Sequence, residues 1–595
     1  MLKETDFKSL MRRIMQPGRY LGTELNVSKK SFEQSSLRIC LIYPDLYEVG
    51  CSNLSLRILY GLLDGIDGVF VDRAFLPDTD LACILRQDGI PLWGLSSRRD
   101  LAEFDILGFT VQHELTCSNI VHILKLSGIE PLARKRTSEG PLILAGGPSI
   151  VNPEPLSGIF DMFHIGESED VLPQIIKTVQ EHRPDNKAAV KACRSLSGVY
   201  DPALYDYKFN GPVIQSVSPS DPVRRTLVKD LDSAFVNLHD IVPYTSIVHD
   251  RAILEIQRGC DFGCRFCLAG YIYRPRRERS ISKLLSTAED MLASTGWEEL
   301  SLSSLSSLCH SGIAELIDGL SPISREQRIT LSLPSLRVSE SSLPLLKKMG
   351  GLKKTGITLV PEAGSETIRR FINKKVTDEE LFKTVALASD QGWQNLKLYF
   401  MIGFVPESDE DVTAIAAFCR EALAIGRRKH GRRFNLSISV AHFVPKPHTP
   451  FQWEPFENID SLQAKIQLLR SRLSRDIRFS YHDFAASRLE AVLARGDRRL
   501  SEVIVRAAEL GACMDSWSSQ FNPSAWDQAF SDCGIDQEWF LRPRGKDEIL
   551  PWDTVDTGVT KDYLWQERED AYRFEETPSC AEQCRNCGVG CGDGC

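Results

Sequence analysis

The stretch Ile256–Arg279, IQRGCDFGCRFCLAGYIYRPRRER, constrains this chain more than any other. Cys260, Cys264 and Cys267 stand in the spacing C-x3-C-x2-C, with Gly259, Gly263 and Gly270 among them and Phe266 directly before the third cysteine. Iron–sulfur clusters are held by cysteine thiolates, normally four for a four-iron cluster. Three cysteines therefore leave one iron without a protein ligand, and an open coordination position is where a metal does chemistry rather than structural work. A zinc knuckle is the alternative, but zinc sites pair C-x2-4-C with a second pair downstream, and none lies nearby. The apolar run AILEI at 252–256 reads as the strand from which the cysteine loop departs.

That strand opens a βα series. Further strand-like runs are ELSLS (299–303), ITLSL (329–333), GITLV (356–360), LKLYFMI (396–402) and LSISVAHF (436–443), separated by helix-length spacers. Six such strands predict an incomplete βα barrel, with reactive groups at the C-terminal strand ends. An earlier series, LRICLIY (37–43), FDILGFTV (104–111), PLILAG (141–146) and FDMFHIG (160–166), alternates with helical segments and predicts a separate parallel sheet with helices on its faces. Ligands of such sheets sit outside the carboxyl ends of the strands. Gln112, Glu114, Gly146, Gly147, Pro148, Asn152, Gly166 and Glu167 occupy those ends.

The cysteine motif, the six-strand barrel and the segment VPEAGSETIRRFINKKVT resemble the radical SAM superfamily, whose open iron chelates S-adenosylmethionine. The AGGPSIVNPEP and IGESE strings are similar to those of the cobalamin-binding branch of that superfamily. The resemblance implies a [4Fe-4S] cluster on Cys260, Cys264 and Cys267. It implies S-adenosylmethionine contacts from Ser303, Ser304, Ser335, Arg337, Glu362, Gly364, Ser365, Arg369, Met401 and Gly403. It further implies cobalamin near Gln112, Glu114, Gly146, Gly147, Pro148, Asn152, Gly166 and Glu167. No D-x-H-x-x-G string offers an axial histidine for cobalt. His448, in the proline-rich loop FVPKPHTPFQW, is the candidate proton carrier, since histidine titrates near neutrality.

The implied activity is a one-electron cleavage of S-adenosylmethionine to a 5′-deoxyadenosyl radical that attacks an unactivated carbon, with methylation the expected outcome. The alternatives are an RNA-modifying enzyme of methylthiotransferase-like type and a non-enzymatic cobalamin or redox sensor. An electron donor such as flavodoxin or ferredoxin is expected, and the substrate is open: a small molecule, with RNA the second choice.

The tail TPSCAEQCRNCGVGCGDGC repeats C-x3-C-x2-C at Cys580, Cys584 and Cys587, with Cys591 and Cys595 following. With almost no apolar side chains it cannot build a core, so a metal is the natural organiser. Thiolates suit either zinc or an iron–sulfur cluster. Seventeen cysteines and an opening without the apolar run of a secretory leader lead us to expect reduced thiols and a cytoplasmic protein, and no run of about 18 apolar residues predicts a membrane span. The net charge of -9 argues against a protein that blankets nucleic acid, although RPRRER (274–279) and GRRKHGRR (426–433) are basic. RGDRR (495–499) offers Arg495, Arg498 and Arg499 to an anionic substrate, or to solvent.

The expected order is α/β throughout: an extension (1–35), a Rossmann-like cobalamin-binding domain (36–215), a linker (216–250), a six-strand partial TIM barrel (251–456), a helical region (457–545) and a cysteine-bearing tail (546–595).

Overall fold

The computed structural model describes residues 4–137, 139–332 and 356–590. Near-continuous apolar runs form the first sheet, as expected for parallel strands covered on both faces. Its strands are β1 (Leu37–Tyr43), β2 (Val69–Phe75), β3 (Ile106–Thr110), β4 (Leu142–Gly146), β5 (Met162–His164) and β6 (Val199–Tyr200). Their spatial order is β2-β1-β3-β4-β5-β6, all parallel except the β5–β6 pair. The order reverses at β1, which makes the β1–β3 crevice a topological switch point. The helix Leu54–Asp64 connects β1 to β2, and the helices Thr79–Asp88 and Cys117–Leu126, which touch each other, connect β2 to β3 and β3 to β4.

The expected linker holds structure of its own. Strands β7 (Asp206–Asn210) and β8 (Val213–Ser218) form a hairpin. Strand β9 (Val223–Arg224) pairs with a segment more than three hundred residues away, β19 (Val555–Asp556).

In the second half, β10 (Ala252–Glu255), β13 (Glu299–Ser303) and β14 (Thr330–Ser332) form one parallel sheet. A second parallel sheet comprises β15 (Ile357–Glu362), β16 (Asn395–Ile402), β17 (Asn435–His442) and β18 (Arg478–Tyr481). All six runs read from the sequence are strands; β18 is a seventh, inside the region expected to be helical. Between β10 and β13, β11 (Gln257–Arg258) and β12 (Arg277–Glu278) make a short hairpin around the cysteine loop.

The helices Phe484–Arg495, Leu500–Glu509 and Pro523–Cys533 follow. The helix Leu500–Glu509 and the loop after it pack on the helix Cys117–Leu126 of the first domain: Asn119 Oδ1 accepts from Met514 N (2.7 Å), and the Ser118 hydroxyl donates to Asp515 (2.5 Å). The RGDRR arginines are spent internally. Arg495 is fully buried and donates to the carbonyls of Gln452, Glu454 and Phe540. Arg498 pairs with buried Glu154 (2.7 Å), and Arg499 pairs with Asp497 (2.6 Å). Of the two basic runs, GRRKHGRR is largely a solvated face, whereas Arg274, Arg277 and Arg279 of RPRRER are buried.

Candidate functional site

The cysteine loop is clamped at several points. Gly259, with φ of +82°, passes so close to the returning chain that a Cβ would lie 2.4 Å from the Pro275 carbonyl oxygen. Arg265, between the second and third cysteines, is fully buried. Its guanidinium donates to Arg370 O (3.1 Å), Phe371 O (3.0 Å), Glu575 O (2.8 Å) and Thr577 Oγ1 (3.1 Å), and pairs with Glu567 at 3.2 Å. Asn373 donates to Gly263 O (3.2 Å) and accepts from Thr577 N (3.1 Å). One side of the loop is thus tied to the segment after β15 and to the tail.

Burial pushes the Cys267 thiol up to about 12, and the neighbouring Cys264, Cys260 and Glu362 charges push the same way. Three thiolates can exist together there only around a cation, so the donor set fits an iron–sulfur cluster. Phe266 and Met401 pack against an apolar group that includes Phe371, Phe404, Phe443 and Phe451. Glu362, with φ of +69°, is held by Lys374 at 3.3 Å.

A cavity of about 360 Å³ joins the strand ends of the barrel to those of the first sheet. On the barrel side it is lined by Gln257, Arg258, Gly259, Tyr273, Ser303 and Ser304. On the sheet side Gln112, Gly146, Gly147, Pro148, Gly166 and Glu167 line it. It then runs down the sheet as a slot. Leu41, Gly108 and Leu144 are in register across β1, β3 and β4 and form its floor, while Ile58 and Leu59 of helix Leu54–Asp64 and Leu172 of helix Leu172–His182 wall it. At Gly146 a Cβ would meet nothing nearer than His164 O at 3.9 Å, so this glycine yields volume to the cavity. Gly147 serves backbone packing instead: its φ is +120° and a Cβ would lie 2.3 Å from Val111 O.

Polar groups converge on the junction. Glu167 receives both terminal nitrogens of Arg277 (2.7 and 2.8 Å), lies 3.3 Å from Arg258 and accepts from Val228 N at 2.9 Å. Burial alone would raise its carboxyl; the arginines outweigh burial and hold it below its ordinary value. Arg258 also meets Glu169 (2.5 Å) and Glu255 (2.8 Å). Gln257 donates to Ser306 O (3.0 Å), and its buried Oε1 has no partner among the described residues. An orphaned acceptor on a cavity wall calls for a ligand donor, since leaving it bare costs about 1–3 kcal/mol. Burial lowers the Arg225 guanidinium to about 10, and its described contacts are the carbonyls of Thr557 and Arg274 rather than a carboxylate within ion-pair range.

Several expected ligands do not reach this cavity. Gly364 packs on the helix Asp409–His430, where a Cβ would lie 2.4 Å from Ile415 N. Ser365 caps the helix Glu366–Phe371 and donates to Asp411 (2.5 Å). Arg369, 1 % exposed, holds Ala363 O (2.9 Å) and Asp378. The Gly403 amide donates to Glu407 (2.8 Å), whose carboxyl is raised to about 7 by burial, which outweighs the opposing pull of Lys465. Asn152 donates to the carbonyls of Ala494 (3.0 Å) and Gly496 (2.9 Å), fastening the C-terminal helices. Glu114 pairs with Lys446 (2.8 Å), which also meets Glu490 (2.8 Å).

His113, Glu114 and Glu490 are, among the described residues, the one trio with ligand atoms all within 4.8 Å. The Lys446 ammonium already bridges that trio's two carboxylates. His448 is buried, shares a 3.0 Å hydrogen bond with Val151 O and is lowered to about 4 by burial. That contact clamps the barrel loop to the first domain. Ser335, Arg337 and Cys591 lie outside the described residues. The sequence reading missed Arg225, Thr226, Gln257, Arg258 and Tyr273 as cavity residues.

Residues 254–419 match the Radical SAM superfamily, and residues 55–202 match the family described as Radical SAM proteins, N-terminal. The chain belongs to the radical SAM superfamily. It is 27% identical over 470 residues to the uncharacterized protein MJ0966 of Methanocaldococcus jannaschii, covering 78% of this chain and 90% of that one. It is 21% identical over 322 residues to a tRNA-2-methylthio-N(6)-dimethylallyladenosine synthase of Ehrlichia canis, covering 52% and 70% of the two chains. Among solved structures, the radical S-adenosylmethionine methyltransferase TsrM of Kitasatospora setae superposes with a TM-score of 0.45 at 14% identity, over 70% of this chain and 75% of that one. The cobalamin-dependent S-adenosylmethionine radical enzyme OxsB superposes with a TM-score of 0.44 at 14% identity, over 83% and 70%. No helix among the described residues is long and apolar enough to cross a membrane.

Proposed function

We propose that this protein is a cobalamin-dependent radical SAM enzyme that modifies an unactivated carbon, with methyl transfer as the reaction. The supporting observation is the cavity that joins Gly259 and Tyr273, which flank the three cysteines in the loop, to the slot in the first sheet. A superfamily member that used only S-adenosylmethionine would need a cavity at the barrel strand ends. This cavity continues between sheet and helices at the topological switch point, where α/β domains hold long, flat cofactors. The apolar floor, the open space at Gly146 and the unpartnered acceptor of Gln257 fit a large ligand with apolar faces and amide edges.

In this reading Cys260, Cys264 and Cys267 hold the cluster, and Ser303, Ser304 and Gln257 orient the cosubstrate from the β10 and β13 ends. Glu362 and Met401 border the cluster from β15 and β16. Gln112, Gly146, Gly147, Pro148, Gly166 and Glu167 border the corrinoid. Cluster and cosubstrate supply the radical, and the corrinoid supplies the methyl group; the protein positions them and excludes water. A low-potential donor such as flavodoxin or ferredoxin provides the electron.

Anaerobically reconstituted protein incubated with S-adenosylmethionine and a chemical reductant should form 5′-deoxyadenosine, and bound cobalamin reduced to the cob(I) state should take the methyl group of a second S-adenosylmethionine, giving methylcobalamin and S-adenosylhomocysteine. Neither product under any reducing condition would refute the assignment.

A further inference from the structure

We propose that Arg225 is the receptor for an anionic oxygen group, a phosphate or a carboxylate, on a ligand held in the cavity between barrel and sheet. The proposal rests on the reading of that cavity as the cofactor site. Arg225 lines it from the strap that leads out of β9 into Thr226. The strap is fixed on both sides. The Arg225 amide donates to Asp556 O of β19 (2.9 Å), while the Thr226 amide donates to Ile165 O (3.0 Å) and its carbonyl accepts from Glu167 N (3.1 Å). The guanidinium is oriented as well: Nε donates to Thr557 O and Nη2 to Arg274 O. Nη1, which carries two more N–H donors, has no partner among the described residues.

The charges around the cavity single this arginine out. Glu167, Glu169 and Glu255 are its lining carboxylates, and each is already held by an arginine: Glu167 by Arg277 (2.7 Å), Glu169 by Arg258 (2.5 Å) and Glu255 by Arg258 (2.8 Å). His164, which also lines the cavity, is lowered to about 4 by burial and is neutral near pH 7. Arg258 is thus shared among carboxylates, whereas Arg225 faces only carbonyls. Burial lowers the Arg225 guanidinium to about 10, and the attraction of Glu167 from farther off, opposed by Arg277, does not offset that cost. A cation desolvated against neutral carbonyls is stabilised by an incoming oxyanion. Beside Glu167, Glu169 or Glu255 the same oxyanion would meet a carboxylate. Because two carbonyls already hold its fork, Arg225 gives up little side-chain freedom on binding.

Two ligands of the proposed site carry such a group: the corrinoid, in the phosphodiester of its nucleotide tail, and S-adenosylmethionine, in its carboxylate. The test measures equilibrium binding to the full chain, reconstituted anaerobically and kept oxidised, so that no turnover occurs. Hydroxocobalamin is compared with cobinamide, which lacks the phosphodiester and nucleotide, and S-adenosylmethionine with its decarboxylated analogue. Arg225→Gln should weaken one charged ligand by about 10- to 100-fold while its charge-deleted counterpart binds within about two-fold of the parent. A selective loss of cobalamin assigns the phosphodiester; a selective loss of S-adenosylmethionine assigns the carboxylate. Arg225→Lys keeps the charge and should keep most of that selectivity, and it carries the test if glutamine unfolds the strap.

An arginine that only tethers the strap would, in either variant, weaken both members of a pair alike, and that result overturns the proposal. So does binding of every ligand unchanged. A parent that binds cobalamin, with variants that bind it equally well, sinks this proposal unless the S-adenosylmethionine pair separates. A parent that binds no corrinoid defeats the cofactor reading instead, and the S-adenosylmethionine pair still decides the role of Arg225.

Discussion

Replacing Arg265 by Met is the sharpest perturbation of the cysteine loop, because the side chain has similar length and no charge. In the parent, Glu567 is 2% exposed at its side chain and faces Arg265 at 3.2 Å, with Thr577 Oγ1 as a second donor at 2.9 Å. Arg265→Met strands that carboxylate and removes the charged donor from three backbone carbonyls. Breaking a buried pair from one side costs about 3–5 kcal/mol, most of it the uncompensated charge. The loss should be local, since the bonds join residues 263–265, 370–373 and 575–577. Native-state hydrogen exchange should show faster opening at these segments by a factor of about 10²–10⁴, with the first sheet unaffected. Iron retention after desalting should fall in parallel. Adding Glu567→Gln should recover part of the loss, about 1–3 kcal/mol, because the stranded charge is gone. A single variant within about 0.5 kcal/mol of the parent, or a double variant worse than the sum of the two, would refute the reasoning.

Further predictions follow from the same geometry. Gly146→Leu should abolish corrinoid loading while leaving the iron content unchanged, read by absorbance after reconstitution, because the new side chain enters open cavity rather than packed atoms. Glu167→Gln should weaken the junction of the two halves by about 3 kcal/mol, read as faster proteolysis within 216–250. His448 carries a pKa lowered from 6.5 to about 4, so the unfolded chain binds the extra proton between those values. Its contribution is therefore complete above pH 6.5 and is lost as pH falls to 4, by up to about 3 kcal/mol. His448→Gln, whose amide can still donate to Val151 O, should flatten that part of the stability profile in urea titrations and leave 5′-deoxyadenosine formation within a few-fold.

The sheets were legible because buried parallel strands write themselves as apolar runs. LRICLIY and LKLYFMI admit few other readings. Strand β18 was not legible: RFSY is short and mostly exposed, so neither alternation nor apolar continuity marks it. The β9–β19 pairing was beyond reach because two-residue strands carry no pattern, and their partners are distant in sequence.

At the site, residues read from glycines and strand ends (Gly146, Gly166, Ser303) do line the cavity, since a strand end fixes position. Ser365, Arg369 and Asn152 do not, because caps and internal clamps use the same polar residue types as ligands. RPRRER is a basic run in the sequence, yet Arg277 within it is drawn inward by Glu167 of the acidic IGESE string, which also holds Arg258. Only the tertiary pairing of two distant charged segments could reveal that.

The central claim is that one cavity joins the flanks of the cysteine loop, at Gly259 and Tyr273, to the slot in the first sheet. It is tested most directly by the electron spin relaxation of cob(II)alamin bound to the reconstituted protein, measured with the iron–sulfur cluster oxidised and reduced. The account predicts faster relaxation of the cobalt signal when the cluster is reduced, absent in the variant lacking Cys260, Cys264 and Cys267. Bound corrinoid whose relaxation is indifferent to the state of that cluster would contradict it.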